Sequence, residues 1–261
     1  MSRFPPAVLA SSNAGTLVVA LVCNGLANAL PLNGRGTGEL SALYPNLFVP
    51  AAATFSIWAL IYTGLLLSVG YGLDSVRRGR DPSVLVAIGP WLSVNLLANA
   101  AWIFAWHWTQ VGLSVLLMAV ILGTLMVVHI RLGVGSRAVS RAERWLVHVP
   151  VSIYLGWISV ASIANITAWA VDLGVPAFGS GPAALTAVVL AVAVGLGGAM
   201  LWRCGDWAYA AVVGWALAGI AVKRAGAAEP GSIFVAATAA AGLGLLVLGI
   251  LGTLWRVRSR R

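Results

Sequence analysis

From Val111 to Ile130 the chain reads VGLSVLLMAVILGTLMVVHI, twenty residues without an Asp, Glu, Lys or Arg. Coiled as a helix at 1.5 Å per residue, such a run covers the roughly 30 Å of a bilayer's hydrocarbon core, where a helix satisfies its own backbone polar groups. Runs of this kind recur. The chain is 60% hydrophobic and 9% charged, whereas soluble domains carry about 25% charge. Eight spans are read, at 8–30, 51–73, 84–106, 110–130, 145–171, 183–203, 206–222 and 231–254. The expected fold is an all-α integral membrane protein.

Lys and Arg collect on the cytoplasmic side of short loops. With both termini cytoplasmic, the inner segments hold Arg3, Arg77, Arg78, Arg80, Arg131, Arg137, Arg141, Arg144, Arg203, Arg256, Arg258, Arg260 and Arg261, thirteen of the sixteen basic residues. The outer ones hold Arg35, Lys223 and Arg224. Seven or nine spans would put the two basic termini on opposite sides. The net charge of +9 then reflects topology and contact with anionic lipid, not nucleic-acid binding, because no basic run is interleaved with aromatics. The expected location is multi-pass, in a bacterial plasma membrane. A leader peptide cleaved near Ala27-Asn28-Ala29 is the competing reading of the first span. Its length argues against that, as does the Asn24–Asn28 spacing, which repeats at Asn95–Asn99.

At 100° per residue Asn95, Asn99, Trp102 and Trp106 fall on one stripe of the third span. The fifth span repeats the pattern with Tyr154, Trp157, Ala161, Asn165 and Trp169, and the second carries Phe55, Trp58 and Tyr62. An amide left without a partner in hydrocarbon costs about 2–7 kcal/mol, so these faces turn inward. They serve either hydrogen bonding between helices or a flat apolar ligand with a few polar edges. Trp108, Trp145, Trp202, Trp207 and Trp255 fit an interfacial belt.

The Trp58–Tyr62 spacing in FSIWALIY, the order Asn95, Asn99, Trp102, and the set from Tyr154 to Trp169 resemble the TspO/MBR family, the tryptophan-rich sensory proteins that include the translocator or peripheral benzodiazepine receptor. The resemblance covers about residues 10–172. It implies a five-helix bundle, 1–172, binding porphyrins, sterol-like lipids and synthetic isoquinoline or benzodiazepine ligands beneath the first loop. By position it implies pocket roles for Trp58 and Trp157, an amide contact from Asn99, and a small residue at Ala161 against which ligand packs. Tyr62, Asn165 and Trp169 also match, and Phe55, Asn95 and Trp102 complete the expected lining. The chain departs from the family with Asn95 in place of Gln, Ala100 in place of an aromatic, Ile153 in place of Pro, and a single Pro50, changes that reshape the pocket. The segment 31–50 is expected to lie over it as a lid.

The last third, 173–261, is expected to be a three-helix extension with a basic tail, an added layer for packing or homodimer formation. Its spans are rich in small residues that permit close helix approach. No acid or base sits at mid-membrane depth, which argues against proton-driven transport. His129 and His148, near inner helix ends, raise haem ligation, but flanking basic loops favour a hydrated interfacial position. His107 is placed near the pocket mouth, in reach of a ligand carboxylate. Cys23 and Cys204 offer no disulfide or metal spacing. The function these readings favour is a membrane receptor or sensor for a porphyrin-like tetrapyrrole or sterol-like lipid, with no cofactor required. Transport of a small neutral or amphipathic solute is the alternative, and light-dependent porphyrin breakdown is the one enzymatic option.

Overall fold

A computed structural model describes residues 4–30, 32–35, 37–175 and 183–259. Arg3, Arg260 and Arg261, counted above on the inner side, lie outside the described residues, as does part of the outer connection 173–182. The helices are α1 (Pro6–Ala29), α2 (Thr37–Ala42), α3 (Ile57–Arg77), α4 (Ser83–Ile88), α5 (Trp91–His107), α6 (Val111–Leu132), α7 (Arg141–Glu143), α8 (Val149–Asp172), α9 (Ala183–Cys204), α10 (Trp207–Ala225) and α11 (Ser232–Arg258). Among the described residues seven helical stretches are long and apolar enough to cross a membrane. The expected third span is divided into α4 and α5. Gly89, at φ 57° and ψ −147°, takes a conformation that disfavours other residues, and Pro90 cannot continue the helical hydrogen bonding.

The chain forms two compact units. One comprises Met1–Leu40 and Trp58–Leu155, the other Ser41–Ile57 and Gly156–Arg261.

In the first unit α1 packs on α5 and α5 on α6. Polar rungs join them: the Ser93 hydroxyl donates to Asn13 Oδ1 at 2.8 Å and shares a hydrogen bond with Ser12 at 2.9 Å. Leu96, Ile121, Leu125 and Val128 fill the space between. The entry to α8 is a π turn over Arg144–His148, and Pro150 accounts for it. Proline lacks the N–H that would reach the Leu146 carbonyl, so that oxygen needs another donor in an apolar setting. The Ser68 hydroxyl supplies it at 2.7 Å. One turn earlier on α3, a Cβ on Gly64 would lie 2.9 Å from Pro150 Cβ, so glycine is what lets the proline sit this close.

In the second unit α9 and α11 run parallel and in register. The pairs Ala183/Gly231, Val194/Gly242 and Leu201/Gly249 meet at a constant sequence separation. The small residues expected to allow close packing do so there and at Gly156, where a Cβ would lie 2.9 Å from the Tyr209 carbonyl oxygen of α10.

The segment expected as a lid holds short helices and turns among its described residues. A 3-10 turn spans Leu32–Gly34 and is followed by α2, and Asn46 Oδ1 accepts from the Phe48 N–H at 3.0 Å. Leu40, in the first unit, and Tyr44, Leu47 and Phe48, in the second, are buried.

Candidate functional site

The first unit gathers an aromatic cluster around a chain of polar side chains. On α3 the i, i+4 spacing sets Trp58 over Tyr62, ring centroids 5.4 Å apart and planes within 22°. The Tyr154 ring of α8 meets the Trp58 indole edge-on, 6.2 Å away at 63°. Behind Tyr154 stands the amide chain. Asn24 of α1 donates to Asn99 Oδ1 at 2.9 Å, and Asn99 Nδ2 donates to Tyr154 Oη at 3.2 Å. Tyr154 accepts in that bond, so its own proton is not used there. Trp58 and Tyr62 are half-buried, while Asn99 and Tyr154 are buried. Within this cluster the Tyr62 hydroxyl oxygen is buried and has no hydrogen-bond partner among the described residues, an uncommon state for a buried polar atom.

The stripe on α5 is buried at Asn95, Asn99 and Trp106 and half-buried at Trp102, but its two amides part company. Asn95 and Asn99 are offset by about 40° around the helix axis, enough to aim at different neighbours. Asn95, wholly buried, donates to the Ile121 carbonyl at 2.9 Å and to Thr124 Oγ1 at 3.0 Å, both on α6. Trp102 and Trp106 stack on each other at 6.0 Å and 13°.

The remaining candidates stand in the second unit. Phe55 meets Trp157 edge to face, centroids 5.7 Å apart at 86°. Ala161 is half-buried, Asn165 is buried, and Trp169 is exposed. This unit also holds interactions that periodicity did not expose. Trp215 of α10 donates its indole N–H to the Thr54 carbonyl at 2.9 Å. One turn later, Gly219 accepts the Ala51 N–H through its carbonyl at 3.1 Å. Arg224, buried, donates to the carbonyls of Leu47 at 3.1 Å and Asn46 at 2.8 Å and pairs with Glu229 at 2.9 Å. Three residues of α10 thus grip the stretch 46–54. The signal available in the sequence was an arginine standing among the few outer charges.

The histidines differ from expectation. His107, placed at a pocket mouth, is fully buried, and its Nδ1 bonds the Ile103 carbonyl at 2.8 Å. His129 and His148, expected in a hydrated interface, are each 5% exposed. Glu143 Oε1 lies 3.4 Å from the Nε2 of His148 and pairs with Arg137 as well. Of the expected belt, Trp108, Trp145, Trp202 and Trp255 are exposed and Trp207 is half-buried.

A family model described as "TSPO-like protein" matches residues 9–251, running past the 10–172 stretch that carries the motif resemblance and through α9, α10 and most of α11. The chain finds no significant match among curated proteins or among solved structures.

Proposed function

The chain belongs to the TSPO-like family, and from that premise we propose a membrane receptor or sensor that binds a flat apolar ligand, a tetrapyrrole or a sterol-like lipid, at the Trp58–Tyr62–Tyr154 cluster. The observation that carries this reading is the Tyr62 hydroxyl, buried without a partner among the described residues beside two aromatic rings. A buried polar group without a partner costs about 1–3 kcal/mol, and a ligand oxygen accepting from it removes that cost. The rings supply a stacking surface. Asn99 acts through Tyr154, orienting the phenol so that its proton faces away from the amide that donates to it. Phe55 and Trp157, with Ala161 and Asn165 on the same helix, form the second aromatic set that the family resemblance implicates, and they are tested separately. We further propose eight spans with both termini cytoplasmic, in a bacterial plasma membrane; the charge distribution supports the span parity and the orientation.

Titration with protoporphyrin in detergent, read by quenching of tryptophan fluorescence, tests the proposal. Tyr62→Phe removes one oxygen and Trp58→Phe keeps an aromatic ring. Each is expected to weaken binding about 2- to 12-fold, the equivalent of 0.5–1.5 kcal/mol for one hydrogen bond or one ring pair. Titration curves unchanged in both variants overturn the assignment. Trp157→Phe measures the second aromatic set by itself. Uptake of the porphyrin into proteoliposomes, in place of binding alone, would make the protein a transporter.

A further inference from the structure

In the second unit a groove of about 780 Å³ opens between α9 and α11 where both helices end. Its walls include Val194, Leu245 and Leu248, and its far end carries Thr253 and Arg256. Two of its glycines have no packing role. A Cβ on Gly197 or Gly242 would press within 3 Å of a facing side chain, but at Gly198 and Gly252, which line the groove, a Cβ would meet nothing within 4 Å. The hollow therefore persists although the two helices touch in register along their length. Arg256 is exposed and makes no ion pair among the described residues. Asp206, the acid nearest in sequence to the end of α9, caps α10 by accepting the Tyr209 N–H at 3.1 Å, and Glu229 is held by Arg224. Trp202, 91% exposed, flanks the same end, an amphipathic ring of the kind that sits at headgroup level.

An apolar channel of 300–1,000 Å³ ending in an uncompensated cation is complementary to a molecule with a long apolar body and an anionic head. We propose that this groove binds an anionic phospholipid, one acyl chain lying between α9 and α11 and its phosphate paired with Arg256. A zwitterionic lipid fits the apolar walls equally but brings its own cation to the arginine, so charge selects between them. The site is separate from the Trp58 cluster and stands or falls independently of it.

Native mass spectrometry of the full chain, released from detergent after incubation with phosphatidylglycerol or with phosphatidylcholine of the same chain length, reads the site directly. The expected result is a retained phosphatidylglycerol favoured about fivefold, the equivalent of one basic residue at a membrane surface. Arg256→Gln should abolish the preference, and Gly198→Leu with Gly252→Leu should abolish retention of both lipids. Gly195→Leu and Gly244→Leu, on the same helices and equally open but outside the groove, serve as folding controls and should leave retention unchanged. Equal retention of the two lipids by the unaltered chain overturns the proposal, as does a preference that survives Arg256→Gln. Loss of a second copy of the chain, in place of lipid, on filling the groove would identify it as a dimer surface and likewise overturn it.

Discussion

Asn24 donates to the side-chain oxygen of Asn99 at 2.9 Å, joining α1 to α5 across 75 residues of sequence. Hydrogen bonds between membrane helices contribute about 0.6–2 kcal/mol. Asn24→Leu and Asn99→Leu should each lower thermal stability in detergent, Asn99→Leu by more because it also gives up Tyr154. In a double-mutant cycle the pair should show a coupling of about 1 kcal/mol. Strict additivity would mean the bond contributes nothing.

Asn95→Leu separates the two amides of α5. It removes the bonds to Ile121 and Thr124 on α6, each expected to cost about 0.5–1.5 kcal/mol, since both acceptors keep the bond that joins them to each other. Protoporphyrin affinity should stay within twofold of the unaltered chain, since none of those partners belongs to the Trp58 cluster. A large loss of affinity with unchanged melting temperature would contradict this division of labour.

Gly219 leaves no room for a side chain. A Cβ there would lie 2.0 Å from Thr54 Oγ1 and 3.0 Å from Thr54 Cβ. Gly219→Ala should destabilise by about 1–3 kcal/mol through overpacking. Adding Thr54→Ala, which removes the nearest atom, should restore most of the loss. The readout is the melting temperature of the single and double variants.

Arg224→Met keeps an unbranched, largely apolar stem but removes every side-chain donor it gives to Asn46, Leu47 and Glu229. Two buried carbonyls then lack partners, at about 1–3 kcal/mol each before local rearrangement. The segment should loosen before the whole protein does. A cysteine introduced at buried Tyr44 and labelled with a maleimide should react at least tenfold faster in the Arg224→Met background, with global melting affected less than that ratio implies.

Much of this was legible in the sequence because its causes are local. Charge-free runs of bilayer length specify helices, and positions repeating every three to four residues specify a face. Asn95, Asn99, Tyr154 and Trp157 are buried for that reason. Periodicity does not say which neighbour a face meets. Asn95 and Asn99 share a stripe, yet they bond to α6 in one case and to α1 and α8 in the other. The division of the third span was written in Gly89-Pro90, but a break that short is overridden in a reading by hydropathy. The grip of α10 on 46–54 was hidden for another reason. It depends on carbonyl groups, which every residue carries and no sequence advertises.

That grip has a consequence in time. Arg224 follows Leu47 by 177 residues, and the chain is made from its N-terminus at about 5–20 residues per second. For roughly 10–35 s after Leu47 is synthesised, the carbonyls of Asn46 and Leu47 exist without the guanidinium that will hold them. During that interval the nascent chain must keep 41–57 in contact with water, headgroups or a chaperone. The second unit becomes whole only when its last helices arrive, which makes its assembly the slow and vulnerable stage of biogenesis.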